Sequence, residues 1–581
     1  MMKGGKKLQN MGDRRFSIGL DLGTNSMRAL LVDISTGEEI ATEVFNYEKG
    51  ENGVITDPKN PNIARQHPIE YIKGIEVCIK GVLKKAKKNK NFNVENIIGI
   101  GIDTTASTPL PVDKNGEPLA FHKEFKDNIN AYAWLWKDHS SYAEAEEITE
   151  LASKEYPEYV NKYGGKYSSE WFFSKILHCL RVDKKVFDAA YSWVECSDYI
   201  PGVLTGKQKP QELKRNICAA GHKGMYNPLW GGLPCKEFLT KLSPELGKLR
   251  DRLFEKAYTA DTPAGKISKE WARKLGLHEN VIIAVGSVDA HLGAVGSGIK
   301  PGRLVKIIGT STCDMAVLPN TKKLPDIPGV CGIVDGSILP GYWGIEAGQS
   351  AVGDIFNWFV KKNTPYEYLK EAAKKKISIH ELFMKKAMRF KPGETGLLAL
   401  DWHNGNRTIL IDPLLTGLII GETLQTKPEE IYRTLIEATA FGAKVIIDRL
   451  EEYNIKIEEI VACGGIPDKN PLLMQIYADV LGRPIKISAS SQTSALGAAI
   501  FGAVAAGKEL GGYSSCEEAQ EKMCHLKNIV YNPIPENKKV YSELFALYKE
   551  LHDIFGTKEY KGNLFHIMKK LLSLKMGMRR G

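Results

Sequence analysis

FSIGLDLGTNSMRALLVD, residues 16–33, is an apolar run, a Gly-Thr turn and a second apolar run. The same phrase returns 286 residues later as RLVKIIGTSTCDMAVL, residues 303–318. The first turn holds Gly23, Thr24 and Asn25; the second holds Gly309, Thr310, Ser311 and Thr312. Each reads as a strand-turn-strand hairpin. The glycine lets backbone N–H groups approach an anion, and the small hydroxyl and amide residues add donors. One such hairpin is weak evidence. Two, one in each half of the chain, predict two lobes that close on one polyphosphate from opposite sides.

Working outward, each hairpin is followed by the same order of elements. After the first comes an amphipathic helix over residues 68–88, then a strand over 96–103 that ends in Thr104, Thr105 and Ala106. After the second comes a helix over 427–453, with Ile431, Leu435, Ala438, Phe441 and Val445 at helical spacing. A strand over 459–463 then runs into Gly464 and Gly465. Between the halves, residues 120–249 are polar and rich in aromatics and read as an elaboration on the first lobe. A buried strand over 281–285 leads into a small-residue helix. The Gly and Pro residues at 298–301 mark the lobe boundary.

Length and composition agree. A chain of 581 residues exceeds one core, and 43% apolar with 25% charged residues is ordinary for a globular protein. No apolar run is long enough to span a membrane, and residues 1–15 lack the apolar core of a signal peptide. A cytoplasmic location is expected, with Met11 an alternative start to Met1. The net charge of +10 divides into +4 on residues 1–15, +5 on 566–581 and +1 on the body. That placement argues against a nucleic-acid face. Residues 564–576 have the pattern of a short amphipathic helix, expected to dock on the protein itself. The ten cysteines form no Cys-x-x-Cys pair and read as small buried residues, not disulfides or a zinc site.

The familiar phosphate signatures are absent, both the Gly-x4-Gly-Lys-Ser/Thr loop and Gly-x-Gly-x-x-Gly. Several residues stand where strand ends should meet the cleft. Asp21, two positions before Gly23, is either a turn-initiating Asp or a carboxylate beside a nucleotide-bound Mg²⁺. Asp289 is either a helix N-cap, in competition with Ser287, or the base that takes a proton from an attacking hydroxyl. In the second case the helix dipole is expected to keep it ionised. Lys223 and Glu346 are either surface charges or hydrogen-bond partners of sugar oxygens. Ala106 would let a polyol approach the backbone. Gly464, Gly465 and Asn470 form either a plain strand-to-helix turn or a flat seat for a base, with the Asn amide reading an amino group.

Taken in order, DLGTNSMRALLVD, GSVDAHLGAVGSG, GTSTCDM, GLIIGETL and CGGIPDKNPLLMQIYADVLG resemble the FGGY carbohydrate kinases over residues 16–540. GIDTTASTPLPVD, LWKDH, GGKYSSEW, CAAGHKGM, GIEAGQSAVGDIFNWFV and LDWHNGNR are similar to the subgroup that phosphorylates L-ribulose in arabinose breakdown. The resemblance implies an α/β, two-lobed actin/hexokinase-like (ribonuclease H-like) fold with an interlobe cleft. It implies a sugar-binding domain over 16–298 and a nucleotide-binding domain over 299–540, flanked by a basic extension at 1–15 and a C-terminal helix and tail at 541–581. It implies ATP and Mg²⁺, and a ketopentose held against the first lobe. Asp289 matches the catalytic base, and Ala106, Lys223, Asp289 and Glu346 match the sugar contacts. The two turns match the phosphate loops, Asp21 the magnesium-side carboxylate, and Gly464, Gly465 and Asn470 the adenosine motif. A homodimer is left open as the assembly. Two rivals also stay open. One is a sister kinase for D-ribulose, L-xylulose or another polyol; the other is an actin- or chaperone-like ATP-driven switch.

Overall fold

The computed structural model describes residues 14–562, 570, 571 and 573–575. Two seven-stranded mixed sheets organise it. In the first lobe, Phe16–Leu22 (β1), Ser26–Asp33 (β2) and Glu39–Asn46 (β3) form an antiparallel meander. Helix Ile69–Ala86 (α1) then returns the chain to Ile97–Thr104 (β4), which lies parallel to β1. Both central strands are buried along their whole length, which is why they read as nearly unbroken apolar runs. Pro263–Lys266 (β5) and Ile282–Ala284 (β6) complete the order β5-β6-β4-β1-β2-β3, and the short Ser287–Val288 (β7) also pairs with β4.

The second lobe repeats this plan. Gly302–Ile308 (β8) and Thr312–Pro319 (β9) form the second hairpin, extended by Gly332–Asp335 (β10) and Tyr342–Ala347 (β11). Ile457–Cys463 (β12) runs parallel to β8, then Ile485–Ser488 (β13) and Leu526–Tyr531 (β14) follow, in the order β10-β11-β9-β8-β12-β13-β14. Four more helices matter for the cleft. They are Ile217–Lys223 (α2), Asp289–Gly296 (α3), Pro471–Leu481 (α5) and Thr493–Ala506 (α6). The long Pro428–Glu452 (α4) bridges β11 to β12. Its start is set by Pro428 in the first turn, and by the Glu430 carboxylate accepting from Lys427 N–H at 2.7 Å.

Residues of the aromatic-rich insertion build a core of their own. Trp134, Phe173, Trp193 and Phe238 are buried together, with Trp134 and Trp193 edge to face at 6.2 Å. The insertion thus forms a stiff wall on the first lobe. At the other end, Leu571 is buried in the second-lobe core, Leu574 packs against it, and Lys575 Nζ donates to the Thr395 carbonyl at 2.9 Å. The described part of that segment therefore docks on the protein itself. The rest of the expected C-terminal helix, and residues 1–13 of the N-terminal extension, lie outside the described residues. No described helix is long and apolar enough to cross a membrane.

The lobes are joined through α6. This second-lobe helix lies directly on β1 and β4 of the first sheet. A Cβ on Gly19 would stand 1.7 Å from the Ala495 carbonyl oxygen, and one on Gly101 1.7 Å from that of Ala498. On its other side α6 meets α3, where a Cβ on Gly497 would stand 1.9 Å from the Leu292 oxygen. One apolar cluster runs through the contact, from Leu30, Val32 and Ile98 to Val305, Met315 and Val461. Backbone touches backbone here, so any side chain must push the lobes apart. Gly101→Ala is expected to destabilise the protein by about 3 kcal/mol or more, at or beyond the upper end for overpacking. Gly465→Ala, where an added Cβ meets nothing within 4 Å, should stay within about 0.5 kcal/mol. Denaturant midpoints of the two variants check this; equal midpoints would remove the close contact from the account.

Candidate active site

The parallel register of the first sheet lines up its carboxylates. Asp21 on β1 is opposite Asp103 on β4, and Asp103 is opposite Ser287 on β7, two residues before Asp289. These are the carboxyl ends of parallel strands, where open α/β sheets bind ligands. Asp289 is the first residue of α3 and not its N-cap. Val288 takes that place, Asp289 Oδ1 accepts from Ala290 N–H at 2.7 Å, and Ser287 Oγ is buried with no hydrogen-bond partner among the described residues. The expectation that the helix dipole keeps Asp289 ionised is also corrected. Burial first, then the neighbouring charges of Asp21 and Glu346, push its carboxyl up to about 7.

Asp103 went unnoticed in the sequence, where it is one polar residue ending an apolar strand. It is fully buried, and among the described residues no donor reaches either of its oxygens. Burial and then the charges of Asp21 and Asp289 push it well above the usual carboxylate range. Asp21 is also raised by burial, although Arg28 Nε lies 3.2 Å from its Oδ2. The buried Asp103 oxygens, without a donor and opposite Asp21 beside the Gly23 turn, fit a divalent cation such as Mg²⁺, which would supply the missing charge.

The two turns are braced differently. In the first, Gly23 N–H closes onto Ser26 O at 3.0 Å. Trp136 Nε1 donates to Thr24 Oγ1 at 3.0 Å and Gln66 Nε2 to Thr24 O at 2.7 Å. The Asn25 side chain is committed to the Asn52 carbonyl at 2.7 Å. In the second, Thr310 O accepts from Val352 N–H and Asp354 N–H at 2.8 and 3.1 Å. Thr312 is not on the open side of the turn. It is buried, and its hydroxyl accepts from Gln349 N–H at 3.0 Å, so it holds the turn from beneath. Gly464 and Gly465 are exposed at the end of β12, beside this turn, and a Cβ on Gly464 would lie 2.5 Å from the Ile308 oxygen. Asn470 caps α5, with Oδ1 accepting from Leu473 N–H at 3.0 Å.

Lys223 and Glu346 are neither surface charges nor on one lobe. Lys223 ends α2 in the first-lobe insertion, while Glu346 lies on β11 of the second sheet. Lys223 Nζ donates to both Glu346 oxygens, at 3.0 and 3.1 Å, across the cleft. Burial opposes both charges, but each holds the other ionised. Glu346 lies well below its usual range and Lys223 above. Ala106 packs against Cys218, Ala219 and Val288, which brings its turn next to Asp289 and α2.

That turn is clamped by two residues whose part was invisible in the sequence. Glu195 accepts from Ser107 Oγ at 2.5 Å and from Thr108 N–H at 2.7 Å. Lys175 Nζ donates to the Ser107 and Leu135 carbonyls at 2.7 and 2.8 Å. Burial drives this pair towards neutrality, Glu195 up and Lys175 down.

With this geometry in view, comparison with known proteins is informative. The sequence models of the N-terminal and C-terminal domains of the FGGY family of carbohydrate kinases match residues 16–296 and 304–506. A ribulokinase of Geobacillus thermodenitrificans is 46% identical, covering 94% of this chain and 95% of its own. One from Halalkalibacterium halodurans is 42% identical, covering 97% and 98%. Among solved structures, xylulose kinase from Rhodospirillum rubrum superposes with a TM-score of 0.74 at 21% identity, over 93% of this chain and all of that one. Plasmodium falciparum glycerol kinase with ADP gives 0.71 at 16% identity, over 93% and 98%. The chain belongs to the FGGY family of carbohydrate kinases, and its fold is the two-domain α/β fold of these enzymes.

Glu195→Ala should loosen the Ala106 turn without touching the nucleotide side. A kcat/KM for sugar reduced by about tenfold or more, from a displacement of less than 1 Å, is expected. KM for ATP should change less, because the first glycine turn is reached from Glu195 only indirectly, through Lys175 on the Leu135 carbonyl and Trp136 on Thr24. Steady-state kinetics with each substrate varied in turn separates the two.

Proposed function

We propose that this chain transfers the γ-phosphoryl group of ATP to the terminal hydroxyl of L-ribulose, giving L-ribulose 5-phosphate and ADP, as a step in L-arabinose degradation. The observation that carries the reading is the position of Asp289. It is a half-buried carboxylate poised near neutrality, between the Asp21–Asp103 pair and the Lys223–Glu346 bridge. The choice of sugar rests on relatives named ribulokinase, among them one 46% identical across nearly the whole chain.

In this reading the backbone amides of the turns at Gly23, Thr24 and Asn25 and at Gly309, Thr310 and Ser311 meet the phosphates. Gly464 and Gly465 leave a flat seat for the base, edged by Asn470. Asp21 and Asp103 would hold Mg²⁺, which when bound would neutralise charge on the phosphates. The sugar lies against the Ala106 turn, and its hydroxyls enter the hydrogen bonding of Lys223 and Glu346. Asp289 accepts the proton as the sugar oxygen attacks the γ-phosphorus and the bond to the ADP oxygen breaks. The protein's work is positioning and charge compensation in a closed cleft.

Asp289→Asn should lower kcat by about 10²–10⁴-fold, the usual share of a general base, while sugar binding measured calorimetrically persists. An active Asn variant would remove Asp289 from the chemistry. The pH dependence has a definite sign. Asp289 serves only when deprotonated, so kcat/KM should be full above about 7 and fall as pH drops through about 7, where its carboxyl takes up a proton. ADP release in Mg-ATP across L-ribulose, D-ribulose, L-xylulose, D-xylulose, glycerol and no sugar tests the substrate. Preference for L-ribulose is expected. Another preferred polyol would overturn the substrate, and release indifferent to every sugar would favour an ATP-driven switch.

A further inference from the structure

Beside the Lys223–Glu346 bridge lies a group of side chains that phosphoryl transfer does not use. Cys218 and His222 stand four residues apart on α2 and so share a face. His291 reaches the same point from the first turn of α3. One ligand atom from each of the three lies within 4.8 Å of the other two. The imidazole rings are 4.7 Å apart between centres, at 52°. His222 Nε2 is bonded to Ser337 Oγ at 3.0 Å; among the described residues its Nδ1 has no hydrogen-bond partner, and His291 has none at either nitrogen. All three residues are at most 1% exposed. Glu346 Oε2 completes the group, 3.5 Å from His222 Nδ1 and 3.6 Å from His291 Nε2. Position 332 is glycine, and a Cβ there would stand 2.2 Å from His222 Nδ1.

Buried polar atoms without partners are costly and rare. Here three imidazole nitrogens share one small region with a thiol and a carboxylate. The two oxygen-to-nitrogen separations match the edge of a tetrahedron whose metal–ligand bonds are about 2.0–2.2 Å. Two nitrogens, a sulfur and one oxygen are the donors of zinc and its borderline neighbours, and not those of Mg²⁺.

We propose that Cys218, His222, His291 and Glu346 form a site for one divalent transition-metal ion of the Zn²⁺ class, and that the bound ion competes with the sugar by taking Glu346. The competition rests on the reading of Glu346 as a sugar contact; the site itself does not. Binding converts the Cys218 thiol to a thiolate and releases its proton to solvent, and no electron moves. Glu346 gives Oε2 to the ion and keeps Oε1 for Lys223. The sequence carried no sign of this, because Cys218 and His291 are 73 positions apart and no Cys-x-x-Cys pair announces it.

The test titrates chelator-treated full-length protein with Co²⁺, whose spectrum reports its ligands. One equivalent should bind with the strong visible bands of four-coordinate cobalt and a near-ultraviolet thiolate band, all bleached by Zn²⁺. Cys218→Ser should lose the thiolate band and more than the ~10-fold in affinity typical of altering an outer-shell partner. Whatever turnover that variant retains should lose its inhibition by Zn²⁺. No thiolate band in the unmodified chain, or an unchanged band in Cys218→Ser, would overturn the site. If Cys218→Ser does not fold, the unmodified chain still decides. Saturating L-ribulose should bleach the cobalt spectrum, and a spectrum indifferent to a sugar that is phosphorylated overturns the competition. A thiolate band in a protein that phosphorylates no sugar upholds the site and fails the kinase reading alone.

Discussion

The backbone contact between α6 and the first sheet is the constraint on which the rest depends. Gly19 and Gly101 leave no atoms between the strands and the Ala495 and Ala498 carbonyls. The helix therefore sits about as close to the sheet as a polypeptide can. Since α6 also abuts α3 through Gly497, the helix that begins with Asp289 is fixed against both lobes at once. An interior this tightly packed does not deform gradually. Lobe movement must then pivot about this contact, while the mouth of the cleft is where distances change.

At that mouth the electrostatics are unbalanced in a way a substrate complex can correct. On the first-lobe side three carboxylates crowd the ends of parallel strands, all three pushed upward by burial, and Asp103 and Asp289 also by the charge of Asp21. On the opposite side Lys223 and Glu346 are closely matched across the lobes. A cation and a polyphosphate would supply partners to the first group. Sugar hydroxyls would enter the second. The ion pair of Lys223 and Glu346 thus ties the two lobes together across the cleft.

The insertion supplies stiffness to this arrangement. Its aromatic core anchors the Lys175 and Glu195 clamp, so the Ala106 turn is positioned by buried hydrogen bonds and not by the loop's own conformation. Trp136, from the same region, braces Thr24 in the first glycine turn. One elaboration therefore braces both the Ala106 turn and the first glycine turn.

The periodic and local features were legible in the chain alone. The apolar runs of β1 and β8, the helical spacing along α4 and the glycine turns are written in adjacent residues, because strands and helices bury faces with short repeats. The order of these elements was enough to expect two similar lobes, and strand ends pointed to Asp21 and Asp289. What the tertiary structure alone decided is pairing between distant residues. Asp103 faces Asp21 only because β1 and β4 lie parallel in one register. Glu346 meets Lys223 only because the two lobes are held at one separation by α6. Glu195 and Lys175 gain a role only through the carbonyls and amides folded around them. A carboxyl's ionisation depends on what buries it and what charge lies beside it, and neither is a property of neighbouring letters. For that reason Asp289, found in the sequence at the start of a helix, showed its displaced titration only in the fold.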